Sequence, residues 1–149
     1  MKLQASSFVI ALLIGFSCAA PAQNDEVTLS DKRGKAVAYI SADEDQTIYL
    51  FDGVPVAYLL HKGETYYIYG FNGRHLGWYD EGVIHDLRGE AVGFVPGVIR
   101  MTTETEPLKS MKQEKPFKRR MEEPKMKPVY RKLWSQTPLS MFLKAGLDK

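Results

Sequence analysis

Apolar residues in the middle of the chain recur in a short repeated phrase. A glycine is followed, after two variable positions, by an aliphatic, a small and an aromatic residue. The four copies are Gly34-x-x-Val37-Ala38-Tyr39, Gly53-x-x-Val56-Ala57-Tyr58, Gly73-x-x-Leu76-Gly77-Trp78 and Gly89-x-x-Val92-Gly93-Phe94. The glycines are 19, 20 and 16 residues apart, which leaves room for two short strands and their turns but for no intervening helix. The repeat predicts four β-hairpins and no α-helix within residues 27–99.

The predicted hairpins need one another, because a single hairpin is only marginally stable in water. Burying four apolar faces together predicts an all-β fold of about eight strands around a common axis. The dipeptides Asp52-Gly53 and Asn72-Gly73 are typical of type I′ turns, and Arg33-Gly34 and Arg88-Gly89 take the same place. The small residue inside each phrase indicates a close approach of neighbouring backbone.

A known family shares these features. The segments 48–58 and 68–78 resemble the bacterial four-fold beta flower domain, most specifically in Phe71-Asn72-Gly73-x-His75-Leu76-Gly77-Trp78. The resemblance continues through residues 84–94. It implies a pseudo-four-fold arrangement of β-hairpins, often in exported proteins, and it implies no activity and no functional residues.

The amino terminus has the pattern of a secretory signal peptide, predicted as residues 1–22. Lys2 precedes an apolar run, and Ala20-Pro21-Ala22 precedes a polar segment. The prediction is an exported protein, periplasmic or secreted; a retained membrane anchor and a lipoprotein acylated at Cys18 are the alternatives. Cys18 is the one cysteine of the chain, so a disulfide scaffold and a cysteine-cluster metal site are excluded.

Charge divides the remaining chain. Residues 23–106 carry a net charge of −7 and residues 107–149 one of +8. We predict a four-hairpin β module at 23–101, a basic linker rich in Pro and Lys at 102–132, and an apolar carboxy-terminal segment at 133–149. The basic region can meet an anionic surface or its own acidic module. Export argues against nucleic acid as a partner.

The carboxy-terminal region predicts an extended or disordered linker followed by a short helix. Prolines at 107, 116, 124 and 128 interrupt any helix in the linker. Beyond them Thr137 is predicted to cap a helix that has Pro138 at its first position and ends at Gly146. Its face of Leu139, Phe142 and Leu143 either docks with Trp134 on the β module or anchors the chain to a protein or a membrane.

Catalytic chemistry is weakly represented. The three histidines are His61, His75 and His85, none at metal-ligand spacing. His75 and His85 are expected at surface turns, although with Asp86 they could form an acid–base site at a shared rim. The run Asp43-Glu44-Asp45 lacks the register of a calcium loop and is expected to be a solvated turn. We predict no cofactor, no metal and no enzyme, because the common catalytic motifs are missing from the sequence.

Aromatic residues carry the functional hypothesis. Tyr39, Tyr58, Trp78 and Phe94, in phase with the repeat, are predicted to be core. The candidate binding residues are Tyr66, Tyr67, Tyr79, His75 and His85. The favoured function is a non-enzymatic exported envelope protein that binds a protein or a glycan. The alternatives are an oligomeric envelope component whose tail docks on a neighbouring chain, and a hydrolase that uses His75 or His85.

Overall fold

The computed structural model describes residues 25–148 and consists of an eight-stranded antiparallel barrel with one short helix. Each strand pairs with the next along the chain, and pairing of Ser30 with Phe94 closes the barrel. The predicted all-β fold of four hairpins is confirmed. The strands are β1 (Val27–Ser30), β2 (Ala36–Ile40), β3 (Thr47–Leu50), β4 (Pro55–Lys62), β5 (Thr65–Gly70), β6 (His75–Asp80), β7 (Val83–Asp86) and β8 (Ala91–Phe94).

The turns within the four hairpins lie at the predicted glycines, but the predicted type I′ geometry is wrong. Asp52 and Asn72 do not have positive φ, whereas Gly53 and Gly73 have φ of 91° and 86°. The N–H of Gly53 donates to the carbonyl of Leu50 at 2.9 Å. Each turn is therefore a type I turn followed by a left-handed glycine, which shifts the strand register by a bulge.

The two faces of the barrel are built differently. The inner face is aliphatic, with Leu29, Ile48, Ile68 and Ile84 fully buried in one core cluster. The outer face carries aromatic rings, because alternate residues of a strand point to opposite faces. Four outer aromatics that follow the repeat are 2% exposed or less, as predicted: Tyr39, Tyr58, Trp78 and Phe94.

The helix α1 (Leu139–Lys144) completes the inner core. Leu139, Phe142 and Leu143 are buried in the same cluster as the barrel aliphatics, so the terminal segment docks on its own module. The predicted cap is wrong: Pro138 occupies the N-cap position, and the N–H of Thr137 donates to Ser135 Oγ at 3.2 Å. Proline lacks the side-chain oxygen that would make a cap bond.

Residues 102–132, which we call the strap, contain neither helix nor strand but lie along the barrel. Four strap N–H groups donate to the carbonyls of the four turn glycines at 2.8–2.9 Å. The pairs are Glu104 with Gly34, Gln113 with Gly53, Glu122 with Gly73 and Arg131 with Gly89. The donors are nine residues apart, so each hairpin holds one nine-residue unit of the strap.

Glycine is required at these turns for a second reason. The strap backbone crosses directly over each turn, and a Cβ atom on Gly53 or Gly73 would collide with the carbonyl of Met111 or Arg120. Thr102 and Val129 lie in the same way over Gly34 and Gly89. The absence of a side chain therefore serves both the left-handed turn and the close approach of the strap.

The predicted signal peptide, including Cys18, lies outside the described residues. Within residues 25–148 no helix is long and apolar enough to cross a membrane.

Candidate binding site

Lysines of the strap cover outer aromatics of the barrel. Lys109 Nζ lies 4.4 Å from the centre of the Tyr39 ring, and Lys118 Nζ lies 4.2 Å from that of Tyr58. Each ammonium also meets a carboxylate at 2.6 Å, Lys109 that of Glu26 and Lys118 that of Asp45. The ring and the carboxylate together form a lysine pocket. These outer rings are therefore occupied from within the chain.

Electrostatics agree with this pairing. Hydrogen bonding from Lys118 holds the pKa of the Asp45 carboxyl below its usual value. Burial alone would raise the pKa of Glu26, but the hydrogen bonds and charges of Lys109 and Lys112 bring it below its usual value. The acidic run at residues 43–45 was expected to be only a solvated turn, whereas Asp43 and Asp45 bind strap lysines. The basic region and the acidic module neutralise each other across this contact.

His75, the first residue of β6, hydrogen-bonds to the strap. Its ring is 2% exposed; Nε2 donates to the carbonyl of Gly77 at 3.0 Å, and Nδ1 accepts the N–H of Lys125 at 3.0 Å. Burial lowers the pKa of His75. In its neutral form the imidazole hydrogen-bonds to backbone groups through both ring nitrogens. The expectation of a surface turn position is wrong, because the bulged hairpin turns this side chain under the strap.

His85 also lies under the strap, in β7. Its ring stacks on that of Tyr130 with centres 3.6 Å apart and planes 4° apart. Burial lowers the pKa of His85, and its expected surface turn position is wrong as well. Asp86 is engaged in the turn, where it accepts the N–H groups of Arg88 and Glu90. In the part of the chain that the structure describes, neither His75 nor His85 hydrogen-bonds to a carboxylate through its ring.

The other predicted binding residues separate onto two faces. Tyr67 lies on the outer face, 5.5 Å from His75 between ring centres. Tyr66 and Tyr79 lie together on the inner-face side, where they extend the aliphatic core toward the end of the barrel opposite the glycine turns. The five candidate residues thus do not form one site.

Tyr66 and Tyr79 form a half-exposed aromatic cluster with His61, which we call the ledge. The rings of His61 and Tyr66 stack at 4.2 Å with an angle of 7°, and Tyr79 meets Tyr66 edge-on at 6.1 Å. Their pairing across β4, β5 and β6 brings the three side chains onto one face. Burial raises the pKa of Tyr79, so its hydroxyl remains a donor at neutral pH.

His61 was not among the predicted binding residues, although the sequence contained a signal for it. The turn at Gly63-Glu64 joins β4 directly to β5 and sets His61 opposite Tyr66. Recognising this tight hairpin would have paired the two rings. Metal chemistry gains no support: among residues 25–148 no group of three or more His, Cys, Asp or Glu side chains could hold an ion.

These features define a small all-β repeat protein, a closed barrel of four hairpins encircled by its own strap and carrying an aromatic ledge. The family model described as "4-fold beta flower protein" matches residues 27–143. Because the match covers more than half of the chain, the protein belongs to this family, and the resemblance to the four-fold beta flower fold is confirmed. No curated protein and no solved structure matches the chain.

Proposed function

We propose that this protein is a non-enzymatic binding module, exported to the cell envelope, that binds a partner at the ledge of His61, Tyr66 and Tyr79. The observation that carries the proposal is the exposure of stacked rings at one end of the barrel. By contrast, the aromatic residues in phase with the repeat are buried: Tyr39, Tyr58, Trp78 and Phe94. Rings that remain accessible on a rigid sheet bury much area at little entropic cost when they bind.

A glycan is the partner that the ledge fits best, and a protein is the second candidate. The rings of His61 and Tyr66 stack face to face, and the outer side of this stack offers a flat surface for the C–H face of a sugar. The hydroxyl of Tyr79 and the imidazole of His61 add hydrogen-bonding groups at its edge. Export rests on the signal-peptide pattern of residues 1–22, and the lack of enzymatic activity on the engagement of His75 and His85 with the strap.

The proposal is tested with the chain from residue 23 and isolated peptidoglycan in a co-sedimentation assay. His61→Ala and Tyr79→Ala should each weaken binding about tenfold, as expected for the loss of a ring at the centre of a contact. Tyr67→Ala is the matched control, because it removes a half-buried tyrosine ring from the outer face of β5, the strand that carries Tyr66 on its inner face. Equal weakening by Tyr67→Ala, or no effect of the ledge variants, would contradict the proposal.

A further inference from the structure

A second surface, distinct from the ledge, lies on the outer side of β4. Here Tyr58 and Leu60 of the barrel and Lys118, Arg119, Arg120 and Met121 of the strap line a groove with a volume of about 440 Å³. Three consecutive cations thus border a groove with an aromatic and aliphatic floor. The ledge residue His61 points to the other face of β4, so the two surfaces are separate.

The three cations of the groove are engaged differently. Lys118 is held by Asp45 and by the Tyr58 ring. Among the residues that the structure describes, Arg119 and Arg120 have no carboxylate within ion-pair distance. Their side chains are exposed. Two guanidinium groups of the strap are therefore available for an anion.

The backbone that carries these arginines is fixed. The N–H of Arg119 donates to the carbonyl of Phe71 at 2.8 Å, and the carbonyl of Arg120 packs against Gly73. Glu122 then donates to Gly73 at 2.9 Å. The strap backbone is thus anchored on both sides of the arginine pair. This anchoring lowers the conformational entropy that the strap loses when an anion binds.

The floor of the groove contains an unpaired donor. Tyr58 is 2% exposed, and its buried hydroxyl has no hydrogen-bond partner. Burial raises the pKa of this phenol, so it keeps its proton. A buried hydroxyl without a partner is costly, and an acceptor that enters the groove beside Lys118 would supply one.

We propose that this groove binds a phosphate group through Arg119, Arg120 and the Tyr58 hydroxyl. Phosphate offers several acceptor oxygens and matches the planar fork of two guanidinium groups better than a single carboxylate does. Leu60 and Met121 border the same groove, and Phe117, which precedes Lys118 in the strap, is 98% exposed. These apolar neighbours suit a phosphate that is carried by a lipid headgroup, while a free phosphate ion has the same polar chemistry.

The experiment has two ligand arms. In the first, the chain from residue 23 is mixed with vesicles of phosphatidylglycerol and phosphatidylcholine, and with vesicles of phosphatidylcholine alone. In the second, inorganic phosphate is titrated by calorimetry. Arg119→Gln combined with Arg120→Gln should weaken binding about tenfold or more, because charge-assisted hydrogen bonds are lost. Arg131→Gln combined with Lys132→Gln removes the same charge elsewhere on the strap and should change binding less than about twofold.

The outcomes separate the two sources. Binding of phosphatidylglycerol vesicles that depends on the arginine pair supports a lipid headgroup, and arginine-dependent binding of inorganic phosphate supports a soluble phosphate. Tyr58→Phe should lower affinity a few-fold without lowering the melting temperature of the free protein, because it removes a buried hydroxyl that has no partner there. Equal losses in the two double variants, or no binding in either arm, would overturn the proposal.

Discussion

The barrel and the strap each consist of four repeats, but different interactions stabilise the repeats in the two regions. In the barrel, each repeat forms its own hydrogen bonds between adjacent strands and buries its own aliphatic residues. In the strap, no element of secondary structure forms, and the backbone bonds run outward to turn glycines at nine-residue intervals. The repeats of the barrel are thus stabilised by contacts among themselves. The repeats of the strap are set by the spacing of the turn glycines to which they bind.

Helix α1 and the strap also contact the barrel through different kinds of interaction, the helix through apolar burial and the strap through polar contacts. Helix α1 fills the inner core with Leu139, Phe142 and Leu143, while the strap covers outer rings with lysines and leaves its own apolar residues exposed. Leu108, Phe117 and Met126 are nine residues apart and each more than nine-tenths exposed. Of these two segments, the helix should therefore contribute more to the free energy of unfolding. The order of the strap should depend mainly on its hydrogen bonds to the glycine turns.

The largest expected effect is that of emptying the core under α1. Phe142→Ala should lower the free energy of unfolding by about 3–5 kcal/mol, because it leaves a cavity among barrel aliphatics. Met141→Ala changes the neighbouring residue, which is 63% exposed, and should have an effect within about 0.5 kcal/mol. Chemical denaturation followed by circular dichroism measures both. Similar values for the two variants would show that the helix does not belong to the core.

The next effect isolates the strap from the turn conformation. Gly97→Ala and Gly73→Ala both place a side chain at positive φ, of 92° and 86°, at a cost of about 1–2 kcal/mol. Only Gly73 has strap backbone over it; nothing lies within 4 Å of the added Cβ at Gly97. Gly73→Ala should thus be the more destabilising by at least about 1 kcal/mol. Equal losses in thermal and chemical unfolding would mean that the strap does not pack on the turn.

Acidification should destabilise the folded protein through the two barrel histidines that the strap covers. Burial lowers the pKa values of His75 and His85, so the unfolded chain takes up protons first as the pH falls below about 6.5. Stability is then present above this pH and is lost below it, by up to about 1.4 kcal/mol per pH unit for each histidine. Unfolding measured from neutral pH to about pH 5 tests this slope.

Charged groups surround the two histidines, so a control must separate the titration of the histidines from that of their neighbours. Glu122 and Lys125 face His75, and Asp80, Asp86 and Lys127 face His85. His75→Gln keeps a donor and an acceptor without titrating in this range and should flatten the slope. An unchanged slope in this variant would assign the acid sensitivity to other groups.

The smallest effect is that of a single strap charge. Lys118→Gln removes a partly exposed ion pair with Asp45 and a contact with the Tyr58 ring. It should cost about 1 kcal/mol or less, and the cost should fall as salt is added, because surface ion pairs are weak and screened. Thermal unfolding at low and high salt measures this. A salt-independent loss comparable to that of Phe142→Ala would contradict the division of roles between helix and strap.

The sequence predicts the barrel well and the strap poorly, for physical reasons. Hairpin glycines and alternating apolar residues are local signals, and they place Gly34, Gly53, Gly73 and Gly89 correctly. The type I′ prediction failed because Asp-Gly and Asn-Gly also fit a type I turn with a glycine bulge. The order of the strap depends on contacts with distant turns, so a Lys- and Pro-rich composition indicated only an extended or disordered segment.

The candidate site was predicted only in part. Tyr66 and Tyr79 do come together, but His75 and His85 are buried under the strap, which a surface-turn interpretation did not anticipate. Burial of a histidine by a segment fifty residues away leaves no local pattern. The pairing of His61 with Tyr66, by contrast, could have been read from the tight turn between them.

Amide hydrogen exchange along the strap, residue by residue in the full chain from residue 23, tests the central claim most directly. The account predicts slowed exchange at Glu104, Gln113, Glu122 and Arg131, nine residues apart, with fast exchange at intervening amides that lack a partner. Gly73→Ala should remove protection at Glu122 first. Uniformly fast exchange from residue 102 to residue 132 would contradict the account, because the strap would then not be bound to the hairpin turns.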